Sequence, residues 1–207
     1  MPDSNGTQLK KRKVPGILGV NIGKNKDTPN ERAHEDYLIC LEKIYPYADY
    51  VTINISSPNT PGLRDLHQEN HLDFLLAQLN QMRQQLSVVY HKRLPLLVKI
   101  SPDFPHAELE VFLNILLKHE INGVIATNTT VNHSGEPGGL SGAPLAYAST
   151  EMIKAIHKIT GNRLPIIGVG GIDSRKAAEE KFAAGAELIQ LYTGLVYEGP
   201  GLIRQIC

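Results

Sequence analysis

Between Asn54 and Leu63 the chain reads Asn-Ile-Ser-Ser-Pro-Asn-Thr-Pro-Gly-Leu. The run leaves an apolar, strand-like segment and enters a loop built from Ser57, Asn59 and two prolines. Ordinary turns use the same residue types. Asn54, however, still belongs to the apolar segment, where asparagine is disfavoured. An amide buried there needs partners, and a heterocyclic ligand with paired donors and acceptors could supply them. No histidine accompanies the serines in the loop, so a hydrolase triad has no local support, although triad partners can be distant in sequence. Lys99, inside Leu-Leu-Val-Lys-Ile, is costly in an apolar strand unless it meets an anion or lines a site; snorkelling to solvent is the alternative.

Two glycine-bearing stretches follow late in the chain: Gly168-Val169-Gly170-Gly171-Ile172-Asp173 and Leu191-Tyr192-Thr193-Gly194. Glycine lets a backbone approach a phosphate closely, and free N–H groups near a helix start attract its charge. In β/α barrels the loops after the last two strands often form such a site. The first stretch lacks the spacing of a dinucleotide fingerprint. Two tight turns without a ligand are the plainer alternative.

The elements that must position these residues are legible as apolar runs. Six stand out: Gly16–Ile22, Asp49–Ser56, Leu94–Ser101, Gly123–Thr129, Pro165–Gly171 and Leu188–Gly194. Most are near-continuous rather than alternating, as strands buried on both faces read, which points to a parallel sheet. Helical patterns separate them. Pro29–Tyr45 forms one, and Leu72, Leu75, Leu76, Leu79, Met82 and Leu86 form an apolar stripe. Further stripes run through Leu109–Leu116 and Met152–Ile159, the second with Ser149 or Thr150 as N-cap, and through Ala177–Ala184, with Asp173 or Ser174 as N-cap and Gly185 as the stop. Alternating strand and helix is α/β architecture. Asn21, Asn54, Lys99, Asn128, Gly170–Gly171 and Tyr192–Thr193 all fall at or near strand C-termini. Polar chemistry around one rim is how a barrel builds a site, whereas an open doubly wound sheet concentrates its contacts at one crevice. The expectation is a TIM-type β/α barrel, partial, with six of the usual eight units.

Composition narrows the classes of partner. Hydrophobic residues are 42% and charged residues 20% of the 207, fitting one soluble globular domain over 14–207 after a basic segment at 1–13. Lys plus Arg and Asp plus Glu both total 21, so nothing asks for nucleic acid or an anionic surface as a general partner. The run Lys10-Lys11-Arg12-Lys13 resembles a targeting or nucleic-acid tag, but runs this short are common, and it reads as a solvated lead-in to the first strand. Two distant cysteines, Cys40 and Cys207, and no signal peptide fit a reduced, cytoplasmic setting. No apolar run approaches the ~20 residues of a membrane span, and no metal ligand set is expected.

Taken together and in order, several stretches resemble the dihydroorotate dehydrogenases, in particular the quinone-linked class. They are Gly19–Lys26, Asn54–Leu63, Val98-Lys99-Ile100, Ala126–Thr130, Gly138–Gly142, Gly168–Gly171 and Tyr192-Thr193-Gly194. The resemblance implies FMN as cofactor, dihydroorotate and orotate as substrate and product, hydride transfer from substrate C6 to flavin N5, and quinone as electron acceptor in pyrimidine (UMP) biosynthesis. It implies Ser57 as the general base for the C5 proton, where the soluble classes carry cysteine. Asn54, Asn59, Asn128 and Thr129 are implied to hold the substrate. Asn21, Asn54, Lys99 and Thr127 are implied to contact FMN, with Gly142, Gly171, Tyr192 and Thr193 completing the flavin site, the last three of them around the phosphate. The first two barrel units and the membrane-touching helices of such enzymes have no counterpart here, so a missing N-terminal portion is an expected partner. Full-length relatives are implied to be peripheral on the cytoplasmic side of the inner membrane. The stretch Thr130–Gly138 is shorter than that class leads one to expect. Alternatives are a non-catalytic truncated chain that keeps a phosphate or flavin site, and another phosphate-binding barrel enzyme such as a sugar-phosphate isomerase.

Overall fold

A computed structural model describes residues 16–135 and 137–207; the basic run at 10–13 lies outside the described residues. Six strands, β1 (Gly19–Ile22), β2 (Tyr50–Asn54), β3 (Leu96–Ile100), β4 (Gly123–Ala126), β5 (Ile166–Val169) and β6 (Leu188–Gln190), pair in sequence order. Every pairing is parallel. Among the described residues β1 and β6 do not pair with each other, so the sheet is a partial barrel with two open edges. The helices are α1 (Ala33–Ile44), α2 (Glu69–Tyr90), α3 (Leu109–Lys118), α4 (Ala146–Thr160), α5 (Arg175–Ala183), α6 (Thr193–Glu198) and α7 (Gly201–Ile206).

Strand parity divides the core. Successive side chains alternate between faces. Val51 and Ile53, Val98 and Ile100, and Val124 and Ala126 join the main core with Leu41, Leu76, Phe112 and Ile153 on the helices. The opposite parity gives a smaller inner cluster of Leu97, Ile125 and Ile167, flanked by Tyr50 and Val169. One step further along the same faces come Asn54, Lys99 and Thr127. The inner layer of the barrel therefore changes from apolar to polar within two residues, and Asn54 pairs in register with Lys99.

The strands are shorter than their apolar runs for local reasons. β2 stops at Asn54 because its Oδ1 accepts the Ser56 N–H at 3.2 Å, an Asx turn that takes the backbone out of the ladder. β4 stops at Ala126 because the next two N–H groups diverge: Thr127 donates to Val169 O and Asn128 to Ile100 O, both at 2.8 Å. The expected N-cap of α4 is corrected. That helix starts at Ala146, after a 3₁₀ turn over Ala143–Leu145, so Ser149 and Thr150 lie inside it. Ser149 Oγ donates to Val169 O at 2.7 Å and Thr150 Oγ1 to Ala146 O at 2.8 Å. Ser174 does cap α5, accepting from Ala177 N at 3.3 Å, and Gly185, at φ 109°, turns the chain away from it.

α5 also carries an unusual lysine. Lys181 is 1% exposed, and its ammonium donates to Ala146 O at 2.8 Å and Thr150 Oγ1 at 2.7 Å. Burial outweighs the attraction of Glu180 and lowers its pKa from 10.5 to about 8. In the folded protein the proton leaves above about 8, while the unfolded chain keeps it to roughly 10.4. Between those values the unfolded state binds more protons, so stability rises with pH. The expected result is a melting temperature that climbs from about pH 8 to about pH 10.4, with Lys181→Met flattening the climb. Melting curves in a pH series check it, and an unchanged slope in Lys181→Met contradicts it.

Candidate functional site

At the C-terminal ends of β3 to β6 lies a cavity of about 280 Å³. Lys99, Thr127, Asn128, Thr129, Gly142, Gly171, Tyr192 and Thr193 line it together with Ser141, Val169, Gly170 and Gln190. Eight residues singled out from the sequence thus meet at one mouth. A second hollow of about 540 Å³ shares Ser141, Gly142, Gly171, Thr193 and Gly194 with it and runs out past Tyr197.

The walls are held from several elements. Ser141 Oγ and Thr193 Oγ1 are 2.9 Å apart, tying the segment after β4 to the start of α6. Thr130 and Leu140 form an antiparallel bridge that closes a hairpin between them. Gly139 on that hairpin sits so close to the β2 and β4 loops that a Cβ would lie 2.0 Å from Thr129 Oγ1 and 3.2 Å from Pro58 Cγ. Gly171 has φ +69°, and a Cβ there would lie 2.5 Å from the Ala146 Cα at the start of α4. Only glycine leaves that wall open.

The polar groups are pre-arranged. Thr127 is 2% exposed, and among the described residues its Oγ1 has no hydrogen-bond partner. A buried hydroxyl of this kind costs roughly 1–3 kcal/mol unless something else satisfies it. Burial lowers the Lys99 pKa, and among the described residues no carboxylate offsets it. Asn54 Oδ1 accepts from Ser56 Oγ at 3.1 Å and from Asn128 Nδ2 at 3.4 Å, while Asn128 Nδ2 also donates to Ser56 Oγ at 3.1 Å. Asn128 Oδ1 in turn accepts the Thr129 N–H at 2.9 Å. The Asn54 amide oxygen therefore finds partners within the chain.

Some expected residues stand apart from the cavity. Asn54 reaches it only through Asn128. Ser57 is half-buried on the loop after β2, its Oγ accepting the Asn59 N–H at 3.3 Å, and Asn59 is exposed. Asn21 is exposed on the edge strand β1, and Tyr192 lines the cavity but is 77% exposed.

Other residues of the site carry little signal in the sequence. Ser56 organises the Asn54–Asn128 pair; its spacing two residues after an asparagine at a strand end was the available signal. Arg64 and Asp103, 3.0 Å apart, join the loops after β2 and β3. Nothing in their 39-residue separation announces the pair. His67 underlies the same turn, with its ring 5.0 Å from Phe104 and 5.9 Å from Phe112. Burial, reinforced by the neighbouring Arg64 charge, lowers its pKa to about 4 and keeps it neutral. Among the described residues no cluster of three His, Cys, Asp or Glu could hold a metal, and no helix is long and apolar enough to cross a membrane.

Parallel strands with a polar rim and glycine turns after the last two strands define a partial β/α-barrel protein whose cavity opens at the strand C-termini. Comparison with known proteins carries this further. Residues 4–207 match the family model described as dihydroorotate dehydrogenase, and the chain belongs to that family. It is 53% identical over 206 residues to the dihydroorotate dehydrogenase (quinone) of Aliivibrio fischeri (strain MJ11), covering 96% of this chain and 61% of that protein. Identity with the dihydroorotate dehydrogenase (quinone) of Idiomarina loihiensis is 54% over 205 residues, with the same coverage. The crystal structure of the Eimeria tenella DHODH in complex with ferulenol superposes with a TM-score of 0.87 at 35% identity, over 97% of this chain and 58% of that one. The chain thus spans about 61% of the length of the curated relatives it matches.

Proposed function

We propose that the chain is the catalytic-rim portion of a quinone-linked dihydroorotate dehydrogenase, binding FMN and oxidising dihydroorotate to orotate in pyrimidine biosynthesis. The observation that carries this is the coincidence, in one cavity, of the unsatisfied Thr127 hydroxyl, the uncompensated Lys99 ammonium and the Gly171 cradle. Each suits one part of a flavin mononucleotide: a ring heteroatom, the ring edge that gains negative charge, and the phosphoryl tail. When bound, FMN supplies the acceptor for the hydride that leaves substrate C6.

The chain's own groups do the rest. Lys99 and Thr127, with Asn21 and Asn54, orient the flavin ring, and Gly142, Gly171, Tyr192 and Thr193 enclose its phosphate end. Asn54, Asn59, Asn128 and Thr129 hold the pyrimidine and its carboxylate. Ser57 takes the proton from substrate C5. A serine is a weak base at its free pKa and works only within an arranged relay, and the Asn59 N–H on its Oγ begins such an arrangement. Quinone as acceptor and a peripheral seat on the cytoplasmic face of a membrane rest on likeness to the quinone-type relatives.

A second reading has a specific observation behind it. Ile17, just before β1, and Leu188, on β6, are 81% and 62% exposed at the open edges of the sheet. Unpaired edges with apolar side chains need covering. A chain that holds flavin but turns over only when the remaining barrel units cover those edges would fit equally. Membership of the family leaves the sugar-phosphate isomerase alternative without support.

One titration separates these readings. The expected result is a yellow complex on adding FMN, bleached by dihydroorotate. A yellow complex that does not bleach supports the binding-only reading, and absence of bound flavin ends both. Thr127→Val adds a sign test. FMN affinity falls about tenfold, the worth of one buried hydrogen bond, while the melting temperature without flavin stays level or rises because an unsatisfied hydroxyl is gone. A parallel loss of both contradicts the assignment.

A further inference from the structure

We infer that Arg64 and Asp103 are positioning residues that fix the spacing between the Ser57 loop and the Asn128–Thr129 turn; this rests on the function proposed above. Neither residue lines the main cavity. Arg64, on the 3₁₀ turn Leu63–His67, spends its guanidinium on three loops. Nε donates to Ser56 O at 3.4 Å, Nη1 to Asp103 Oδ2 at 3.0 Å, and Nη2 to Thr129 O at 3.4 Å. Those acceptors belong to the segments after β2, β3 and β4, in that order.

Asp103 gathers the far side. Its carboxylate accepts from Thr130 Oγ1, from Val131 N at 3.0 Å and from Asn132 Nδ2 at 3.1 Å, as well as from Arg64. Its own N–H is fixed by Ser101 Oγ at 3.1 Å. Thr130 is also the residue bridged to Leu140. With side-chain exposures of 27% and 11%, the pair is shielded enough for charge-assisted hydrogen bonds to count, unlike the exposed pairs on the helices. Among the described residues, the other hydrogen bonds joining the two segments are those of Asn128 to Asn54 and Ser56. A planar guanidinium reaching both carbonyl groups holds them at a set separation. Lysine, a point charge, could keep the Asp103 pair but not both carbonyls.

The test uses the full chain with and without FMN, comparing wild type, Arg64→Gln, Arg64→Lys and Asp103→Asn. Amide hydrogen exchange is read in segments 55–60 and 128–132, and FMN and orotate affinities are read from flavin absorbance. In Arg64→Gln both segments are expected to exchange at least about tenfold faster with the strand amides unchanged, and orotate affinity to fall at least about tenfold while FMN affinity changes less than about twofold. Arg64→Lys falls between wild type and Arg64→Gln. A merely structural role would weaken both ligands together and raise exchange throughout. Unchanged exchange in either segment, or equal loss of the two affinities, overturns the inference. If wild type binds no flavin, the functional reading fails alone, and the exchange data still decide whether the clamp exists. Should Arg64→Gln not fold, Arg64→Lys and Asp103→Asn supply the same comparison.

Discussion

Ser57→Ala is expected to slow reduction of bound flavin by dihydroorotate roughly 10²–10⁴-fold, the usual contribution of a positioned general base, with FMN affinity unchanged. The site's geometry explains the split. Ser57 lies on the loop after β2, outside the cavity formed by Lys99, Thr127, Gly142, Gly171 and Thr193, so its hydroxyl touches nothing that would hold the cofactor. The loop itself is anchored by its neighbours. Ser56 is fully buried and bonded to Asn54 and Asn128, so truncating Ser57 leaves the backbone in place. Stopped-flow absorbance on flavin-loaded protein with its barrel closed by the remaining units is the measurement. Fast reduction in Ser57→Ala would remove Ser57 from the base role, and loss of flavin would show that the loop, rather than the hydroxyl, had been damaged.

Gly171→Asp is expected to lower FMN affinity at least about a hundredfold, or roughly 3 kcal/mol. Backbone strain weakens the fold, and a steric and an electrostatic effect act on binding. The residue has φ +69°, a conformation that strains any side-chain-bearing residue by about 1 kcal/mol. Its Cβ would fall 2.5 Å from Ala146 Cα and 2.6 Å from Ala146 N, which are backbone atoms that cannot rotate away. A carboxylate on the cavity wall would also repel a phosphate. Gly199 supplies the control: its φ is +71° but a Cβ there meets nothing within 4 Å. Gly199→Ala should cost stability on the order of 1 kcal/mol and leave FMN binding alone. Fluorescence titration of FMN with both variants decides the matter. Equal affinity in Gly171→Asp and wild type would place the phosphate elsewhere.

These predictions draw on residues that differed greatly in how visible they were. Lys99 could be noticed because an ammonium in Leu-Leu-Val-Lys-Ile breaks the chemistry of its surroundings, and the cavity did contain it. Gly171 could be noticed because its glycine cluster follows an apolar run, as phosphate-binding turns do. Asn54 reads in the sequence as a buried amide in need of partners, which a ligand could supply; in the fold it is only half-buried. The chain supplies Ser56 and Asn128 for its oxygen, and only packing β2 against β3, and β3 against β4, reveals this. Thr127 stands out only through family likeness; that its Oγ1 lacks a partner among the described residues depends on every neighbour at once. Arg64 and Asp103 carried no signal because each is unremarkable in its own segment.

By itself the sequence determined the six strands, their alternation with helices and the polar character of their ends, since apolar runs and the breaks in them are properties of neighbouring residues. It also determined where glycine was needed to turn the chain. The tertiary structure alone decided which of those ends converge, which buried polar groups satisfy one another and which remain unmatched. Convergence depends on strand register and on contacts between segments tens of residues apart, and a hydrogen bond exists only once both of its ends have been brought to the same place.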